Sequence, residues 1–298
     1  MDRRNFLQGL GGAALLTAAP AALAMKKSGD PGLSTDRFAA IERESGGRLG
    51  VAVLDTGTGL RFGWRDEERF PMCSTFKFLL VAAVLRRVDS GKEELERRIP
   101  IRKEDLVIHS PVAERNLGPQ GMSVAELCEA TMTLSDNAAA NLLLPTVGGP
   151  AGLTRFVREL GDAHTRLDRN EPSLNTATPG DERDTTLPRA MVDHLQRIAL
   201  GDVLQSASRD RLTGWLLGNR TGDSRLRAGL PQGWRVGDKT GSGENGTTND
   251  IAIVWPQDRP PLLLACYLTG SFPESKRRDR ILQSVALEVS RLEGDAGN

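Results

Sequence analysis

The chain has 298 residues, with 39 Lys and Arg against 39 Asp and Glu, 39% hydrophobic and 26% charged. This is an ordinary globular composition, long enough for one large domain or two. Zero net charge, four Trp and one Tyr provide no basic surface or stacking platform for nucleic acid, and His109, His164 and His194 lack zinc-ligand spacing.

Residues 1–24, "MDRRNFLQGLGGAALLTAAPAALA", read as an export signal. Arg3 and Arg4 precede a Gly- and Ala-rich apolar stretch that ends in Ala22-Leu23-Ala24, an A-x-A cleavage site. Arg-Arg-Asn-Phe-Leu is similar to the twin-arginine signal. Gln8, the glycines and Pro20 make this stretch too weak to hold a membrane span, so an exported protein without a stable anchor is expected from about Met25. Residues 25–33 read as a flexible leader. Phe38 and Ile41 then take helical spacing up to Gly46.

"RLGVAVLDTGTGLRFGWR" predicts two strands around a Thr56–Gly59 hairpin, and residues 76–88 predict an apolar helix. From about 100 to 217 the texture is helical. Ser135-Asp136-Asn137 falls there at a helix-to-helix turn, with Asp and Asn suited to the new cap. Residues 166–184 carry two prolines and a glycine without apolar period, which predicts a long irregular loop. Three strand candidates follow in "GWRVGDKTGSG", "TNDIAIVWP" and "PPLLLACYLTG". A last helix is predicted from about Glu274 to Leu292, with Ile281, Val285, Val289 and Leu292 on one face. The fold class is α/β (α+β). An antiparallel sheet of about five strands draws on both chain ends, and an all-helical lobe is inserted in its middle. The lobes run over about 34–70 with 218–298, and about 71–217, within one catalytic domain over 25–298.

Ser74 and Lys77 stand three residues apart at the head of the apolar helix. Two readings compete: Ser74 as a helix cap with Lys77 along the surface, or a serine nucleophile with an activating amine on the same helical face. Ser74-x-x-Lys77 is one of four ordered motifs, followed by Ser135-Asp136-Asn137, Glu171-Pro-Ser-Leu-Asn175 and Lys239-Thr240-Gly241. The ordered set resembles the class A serine β-lactamases, over about residues 35 to 292.

That resemblance implies acyl transfer on a small-molecule β-lactam, penicillins and cephalosporins, with no cofactor. Ser74 would attack the carbonyl, with the backbone amides of Ser74 and Ser242 as oxyanion donors. Lys77, or Glu171 through a water, would be the acylation base, and Ser135 with Lys239 would pass a proton to the leaving nitrogen. Glu171, aided by Asn175, would activate the deacylating water. Asn137 would hold the acylamino side chain, and Lys239, Thr240, Gly241 and Ser242 would line the site beside the substrate carboxylate.

Many members place an arginine where Thr248 stands here. Arg225 is the expected substitute, oriented by Asp279. His109 replaces an aromatic wall of the site, and Arg169 and Asp184 are expected to close the loop as an ion pair. Cys73 and Cys128 face Gly243 and Val81 where some members have cysteines, so those disulfides are expected to be absent. A periplasmic or secreted monomer is expected. The alternatives are a penicillin-binding peptidase or transpeptidase, which would lack the glutamate loop, and a β-lactam sensor domain that stays acylated, which would be expected to carry membrane spans and a partner domain.

Overall fold

A computed structural model describes residues 31–296, with side chains described for 35–291. The export signal at 1–24 and most of the leader lie outside them. The remaining leader residues are helical: α1 spans Pro31–Ser45. Proline at its first position explains the early start, because its fixed φ suits the first helical turn.

The expected hairpin forms from β1 (Arg48–Asp55) and β2 (Arg61–Trp64). Asp55 ties its turn, its carboxylate accepting from the Gly57 amide at 2.8 Å and the Thr58 hydroxyl at 2.7 Å. The three later strand candidates become β7 (Arg235–Gly243), β8 (Thr247–Trp255) and β9 (Leu262–Thr269). The five strands form one antiparallel sheet in the order β2-β1-β9-β8-β7. Both chain ends meet in it where β1 pairs β9, from Arg48 opposite Thr269 to Asp55 opposite Leu262.

β1, β9 and the second half of β8 are buried on both faces and carry near-continuous apolar runs. Leu262, Leu264, Cys266 and Leu268 of β9 pack with Phe38 of α1 and with α8 (Ser275–Ala296), through Ile281, Val285 and Val289. Leu263, Ala265 and Tyr267 turn to the other face and join the core of α2 (Phe76–Asp89). Residues 76–85 of α2 are all buried, including Lys77. A helix apolar all round belongs at the centre of a core. Leu80→Ala there would cost about 2–5 kcal/mol.

Between the two sheet segments lie α2, α3 (Val124–Thr133), α4 (Asn137–Leu143), α5 (Gly149–Glu159), α6 (Pro188–Leu195) and α7 (Ser206–Leu217). The insertion also carries two ribbons that the sequence did not separate from the helices. One pairs β3 (Phe70–Pro71) with β6 (Thr185–Thr186); the other pairs β4 (Arg98–Ile101) with β5 (Gly118–Ser123). Pro100 and a register shift between Ile99 and Ile101 break the alternation that would have announced β4. No helix of the described residues is long and apolar enough to cross a membrane.

Candidate active site

Ser74 sits in a 3-10 turn, Cys73–Thr75, that runs into α2. Cys73 holds a left-handed φ of 45° there, and the N-cap of α2 is Thr75, without a side-chain cap bond. The cap-and-surface reading of Ser74 and Lys77 is therefore excluded. The Lys77 side chain is fully buried, and its Nζ donates to Ser74 Oγ at 3.0 Å, the Ser135 carbonyl at 2.7 Å and Asn137 Oδ1 at 2.5 Å. Ser135 Oγ lies 3.3 Å and Glu171 Oε1 3.1 Å from the same nitrogen. Burial pushes the Lys77 pKa below the usual lysine range, against the attraction of Glu171, which favours the charged form.

Ser135 and Asn137 reach this ammonium because the turn between α3 and α4 is pinned. Asp136, fully buried, caps α4 by accepting from the Ala139 amide at 2.9 Å. Its other oxygen takes the amides of Val112 and Ala113 at 2.8 and 3.0 Å, fastening the turn to the neighbouring loop. Ser135 adopts φ 56°, which turns its hydroxyl and carbonyl together towards Lys77. Asn137 spends one amide proton on the Ile108 carbonyl at 2.9 Å and retains one.

The 166–184 loop delivers Glu171. The expected closing pair is present: Arg169 Nε meets Asp184 Oδ2 at 2.6 Å, with Asp184 fully buried. Asp184 Oδ1 also takes the amides of Asp168 and Arg169 at 2.7 and 2.9 Å, so one carboxylate folds both loop ends together. Asn141 then grips the Glu171 backbone from both sides, with Oδ1 accepting its amide at 3.0 Å and Nδ2 donating to its carbonyl at 2.8 Å. The result places Glu171 Oε1 3.1 Å from Ser74 Oγ, with the Lys77 and Glu171 side chains fully buried. Glu171 Oε2 takes Asn175 Nδ2 at 2.5 Å, while Asn175 Oδ1 is buried and has no hydrogen-bond partner within the protein.

The edge strand β7 forms the opposite wall. Lys239, fully buried, donates to Ser135 Oγ at 3.0 Å and to the Thr240 carbonyl at 2.8 Å. Burial and the neighbouring Lys77 charge push its pKa well below the ordinary lysine value, against the fields of Asp238 and Asp250. Gly241 is required by contact: a Cβ there would stand 2.8 Å from the Met72 carbonyl and 3.3 Å from Cys73 Cβ, so any side chain would push β7 off the nucleophile turn. A Cβ at Gly243 would come within 2.6 Å of Cys73 Sγ. The two positions are neighbours as expected, and Cys73, Cys128 and Cys266 are all free and buried.

The other face of β7 carries Asp238, Thr240 and Ser242. Arg225 lies against it, nearly buried. Its Nη2 donates to Ser242 Oγ at 2.8 Å and its Nη1 to the carbonyls of Gly241 and Asn249 at 2.9 and 2.7 Å. Asp279 orients it through Nε at 2.9 Å. Thr248, paired with Ser242 across the strands, receives Arg278 Nε at 3.0 Å.

Ser74, Lys77, Ser135, Asn137, Glu171, Asn175 and Lys239 thus form one connected hydrogen-bonded cluster, with Thr240, Gly241, Ser242 and Arg225 along its β7 wall. His109 is less integrated: it is exposed, its ring meets the Leu134 carbonyl at 3.0 Å, and its own carbonyl accepts the Asn137 amide. Among the described residues no group of His, Cys, Asp or Glu could hold a metal ion. Sequence reasoning missed Asn141, Asn219, Thr221 and Arg278. Asn141 alone had a signal, standing one helical turn after Asn137.

A profile of the beta-lactamase enzyme family matches residues 34–291. The chain is 48% identical over 282 residues to beta-lactamase OXY-2 of Klebsiella oxytoca, covering 93% of this chain and 96% of that protein. A solved class A beta-lactamase of the last common ancestor of Gram-negative bacteria is 62% identical. It superposes with a TM-score of 0.85, covering 87% of this chain and 98% of that one. A beta-lactamase from Xanthomonas campestris is 55% identical, with a TM-score of 0.86 over 89% and 98% of the two chains. A serine held between a buried lysine and a buried glutamate, on this sheet and among these relatives, has one family meaning: the chain belongs to the class A serine β-lactamases, hydrolases of the β-lactam amide.

Proposed function

We propose that this chain hydrolyses penicillins and cephalosporins through an ester on Ser74, with Glu171 as general base for both forming and breaking that ester. The observation that carries the assignment is the contact between Ser74 Oγ and Glu171 Oε1 at 3.1 Å. Lys77 donates to Ser74 Oγ, so the serine proton is directed at the carboxylate. As Oγ attacks the lactam carbonyl carbon, that proton passes to Glu171, and the Lys77 ammonium steadies the developing charge. The backbone amides of Ser74 and Ser242 are the donors for the carbonyl oxygen as it becomes an oxyanion.

Cleavage of the C–N bond needs a proton on nitrogen. Ser135 Oγ accepts from Lys239, which leaves its own proton for the leaving nitrogen. Lys77, 3.3 Å away, replaces that proton and takes one back from Glu171 at 3.1 Å, so Glu171 is again a carboxylate when the ester has formed. Once Ser74 is acylated it no longer donates to Glu171. The carboxylate then takes a proton from water, and Asn175 Oδ1 offers that water a second acceptor. Hydroxide adds to the ester carbonyl, Ser74 leaves with a proton, and the opened acid departs.

Substrate grip follows from what each group has spare. The remaining Asn137 amide proton suits the acylamino carbonyl. Lys239 and Ser242, backed by Arg225, have protons to spare for the ring carboxylate, and Thr240 lies beside them on β7. His109 flanks the entrance beside Asn137. The Arg-Arg and A-x-A pattern supports export to the periplasm or beyond.

An absorbance assay with benzylpenicillin, an oxyimino-cephalosporin and a carbapenem tests the reading. Penicillin turnover that disappears in a folded Ser74→Ala variant is expected. Turnover that survives in that variant contradicts it.

A further inference from the structure

Behind β7 runs a chain of polar side chains that no step above uses. Asp238 is fully buried, paired with Arg227 and accepting Asn219 Nδ2 at 2.6 Å. That bond fixes which way the Asn219 amide faces, because a carboxylate can only accept. Asn219 Oδ1 is accordingly turned to Thr221, taking its backbone amide at 3.1 Å and its hydroxyl at 2.8 Å. Thr221 Oγ1 lies 2.5 Å from Thr240 Oγ1. The chain is closely built: a Cβ on Gly222 would strike the Asp238 carboxylate at 1.8 Å.

A hydroxyl has one proton. Thr221 commits its proton to Asn219, so in the Thr221–Thr240 contact Thr240 must donate. The Thr240 proton is thereby directed away from the substrate side, and its lone pairs are what a ligand meets. Ser242 is set the opposite way. It accepts from Arg225, and its own proton is free among the described residues.

We propose that Thr221 is a positioning residue that restrains carboxylate binding: the Asn219–Thr221 relay holds the Thr240 hydroxyl in the wrong sense for an anion, and substrate must reverse it. On binding, Thr240 donates to the carboxylate, Thr221 donates to Thr240, and Asn219 Oδ1 loses the Thr221 hydroxyl while keeping its amide. One partly buried hydrogen bond is lost at each substrate arrival. Ser242 answers the carboxylate with no such reversal. This inference rests on the reading that Thr240 meets the ring carboxylate.

The test compares benzylpenicillin with its methyl ester, which lacks the carboxylate charge, in wild type, Thr221→Val, Thr221→Ser and Thr240→Val. Thr221→Val frees the Thr240 proton. It is expected to raise kcat/KM for the acid about two- to tenfold, the worth of one neutral hydrogen bond, through KM rather than kcat. The ester is expected to be unaffected, and Thr221→Ser to behave as wild type. In a Thr240→Val background the Thr221→Val gain is expected to vanish. Thr221→Ala removes the same hydroxyl with less bulk and is expected to repeat the gain. A fall in kcat/KM for the acid in both folded variants, or a gain that persists without the Thr240 hydroxyl, overturns the relay. A wild type that handles acid and ester alike overturns the carboxylate reading and the relay with it.

Discussion

Two buried ammonium groups meet at Ser135 from opposite regions of the molecule, and they are compensated differently. Lys77, on the helical side, has the Glu171 carboxylate at 3.1 Å and a ring of oxygen acceptors. Lys239, on the sheet side, has a hydroxyl and a carbonyl, and no carboxylate within ion-pair distance among the described residues. Both pKa values are pushed down by burial, that of Lys239 the further. The helical side therefore holds a neutralised pair in which proton traffic is internal. The sheet side holds an ammonium with no carboxylate in contact, only the more distant fields of Asp238 and Asp250, and is suited to an anion that arrives from outside. The division between reaction and recognition is visible in where the counter-charges are.

The comparison breaks most directly by deleting each charge. Lys77→Met strands the Glu171 carboxylate in a buried site and is expected to cost about 3–5 kcal/mol of stability. Lys239→Met removes an ammonium whose desolvation is not repaid by a partner, so stability is expected to be unchanged or raised. Urea titration of the two variants measures both. Equal losses would mean that Lys239 is as well paired as Lys77.

Next in size is the loop that supplies the counter-charge. Arg169→Ala leaves Asp184 buried with only amide donors. A loss of about 3 kcal/mol is expected, the low end for breaking a buried pair because the arginine is partly exposed. Deacylation should slow more than acylation, since Glu171 loses its frame; pre-steady-state kinetics separates the two. Equal slowing of both steps would show that the loop does not selectively position the deacylating carboxylate.

The smallest effect is a pH dependence. A lysine depressed in the folded state binds fewer protons there than in the unfolded chain, so its contribution to stability rises with pH until the unfolded lysines also deprotonate near about 10.4. The stability difference between wild type and Lys239→Met is expected to shift in favour of wild type as pH rises from 7 to 9.5. The buried thiols, held protonated by burial, act in the opposite sense in both proteins and cancel in the difference. A difference independent of pH would remove the depressed Lys239.

Much of this was legible in the sequence because the chemistry is carried by short ordered motifs, and the sheet by long apolar runs. β8 and β9 need no tertiary information, being buried on both faces. Asp136 announces its cap by residue type and position. Lys77 was legible only as a choice, since an ammonium beside an apolar run fits a surface stem as well as a buried catalyst; its surroundings decide. β4 was hidden by Pro100. Least legible was the relay through Asn219 and Thr221, because the direction of a hydroxyl proton depends on an amide orientation that Asp238 fixes from another part of the chain. Local sequence specifies the donors and acceptors, but only the assembled network specifies which way each bond points.

The central claim is that Glu171 removes the acyl group from Ser74. Intact mass spectrometry of Glu171→Gln mixed with benzylpenicillin tests it. The account predicts a persistent adduct of one penicilloyl mass, absent from Ser74→Ala, with turnover reduced by about 10²–10⁴-fold. Unmodified protein that hydrolyses penicillin at the wild-type rate would contradict it.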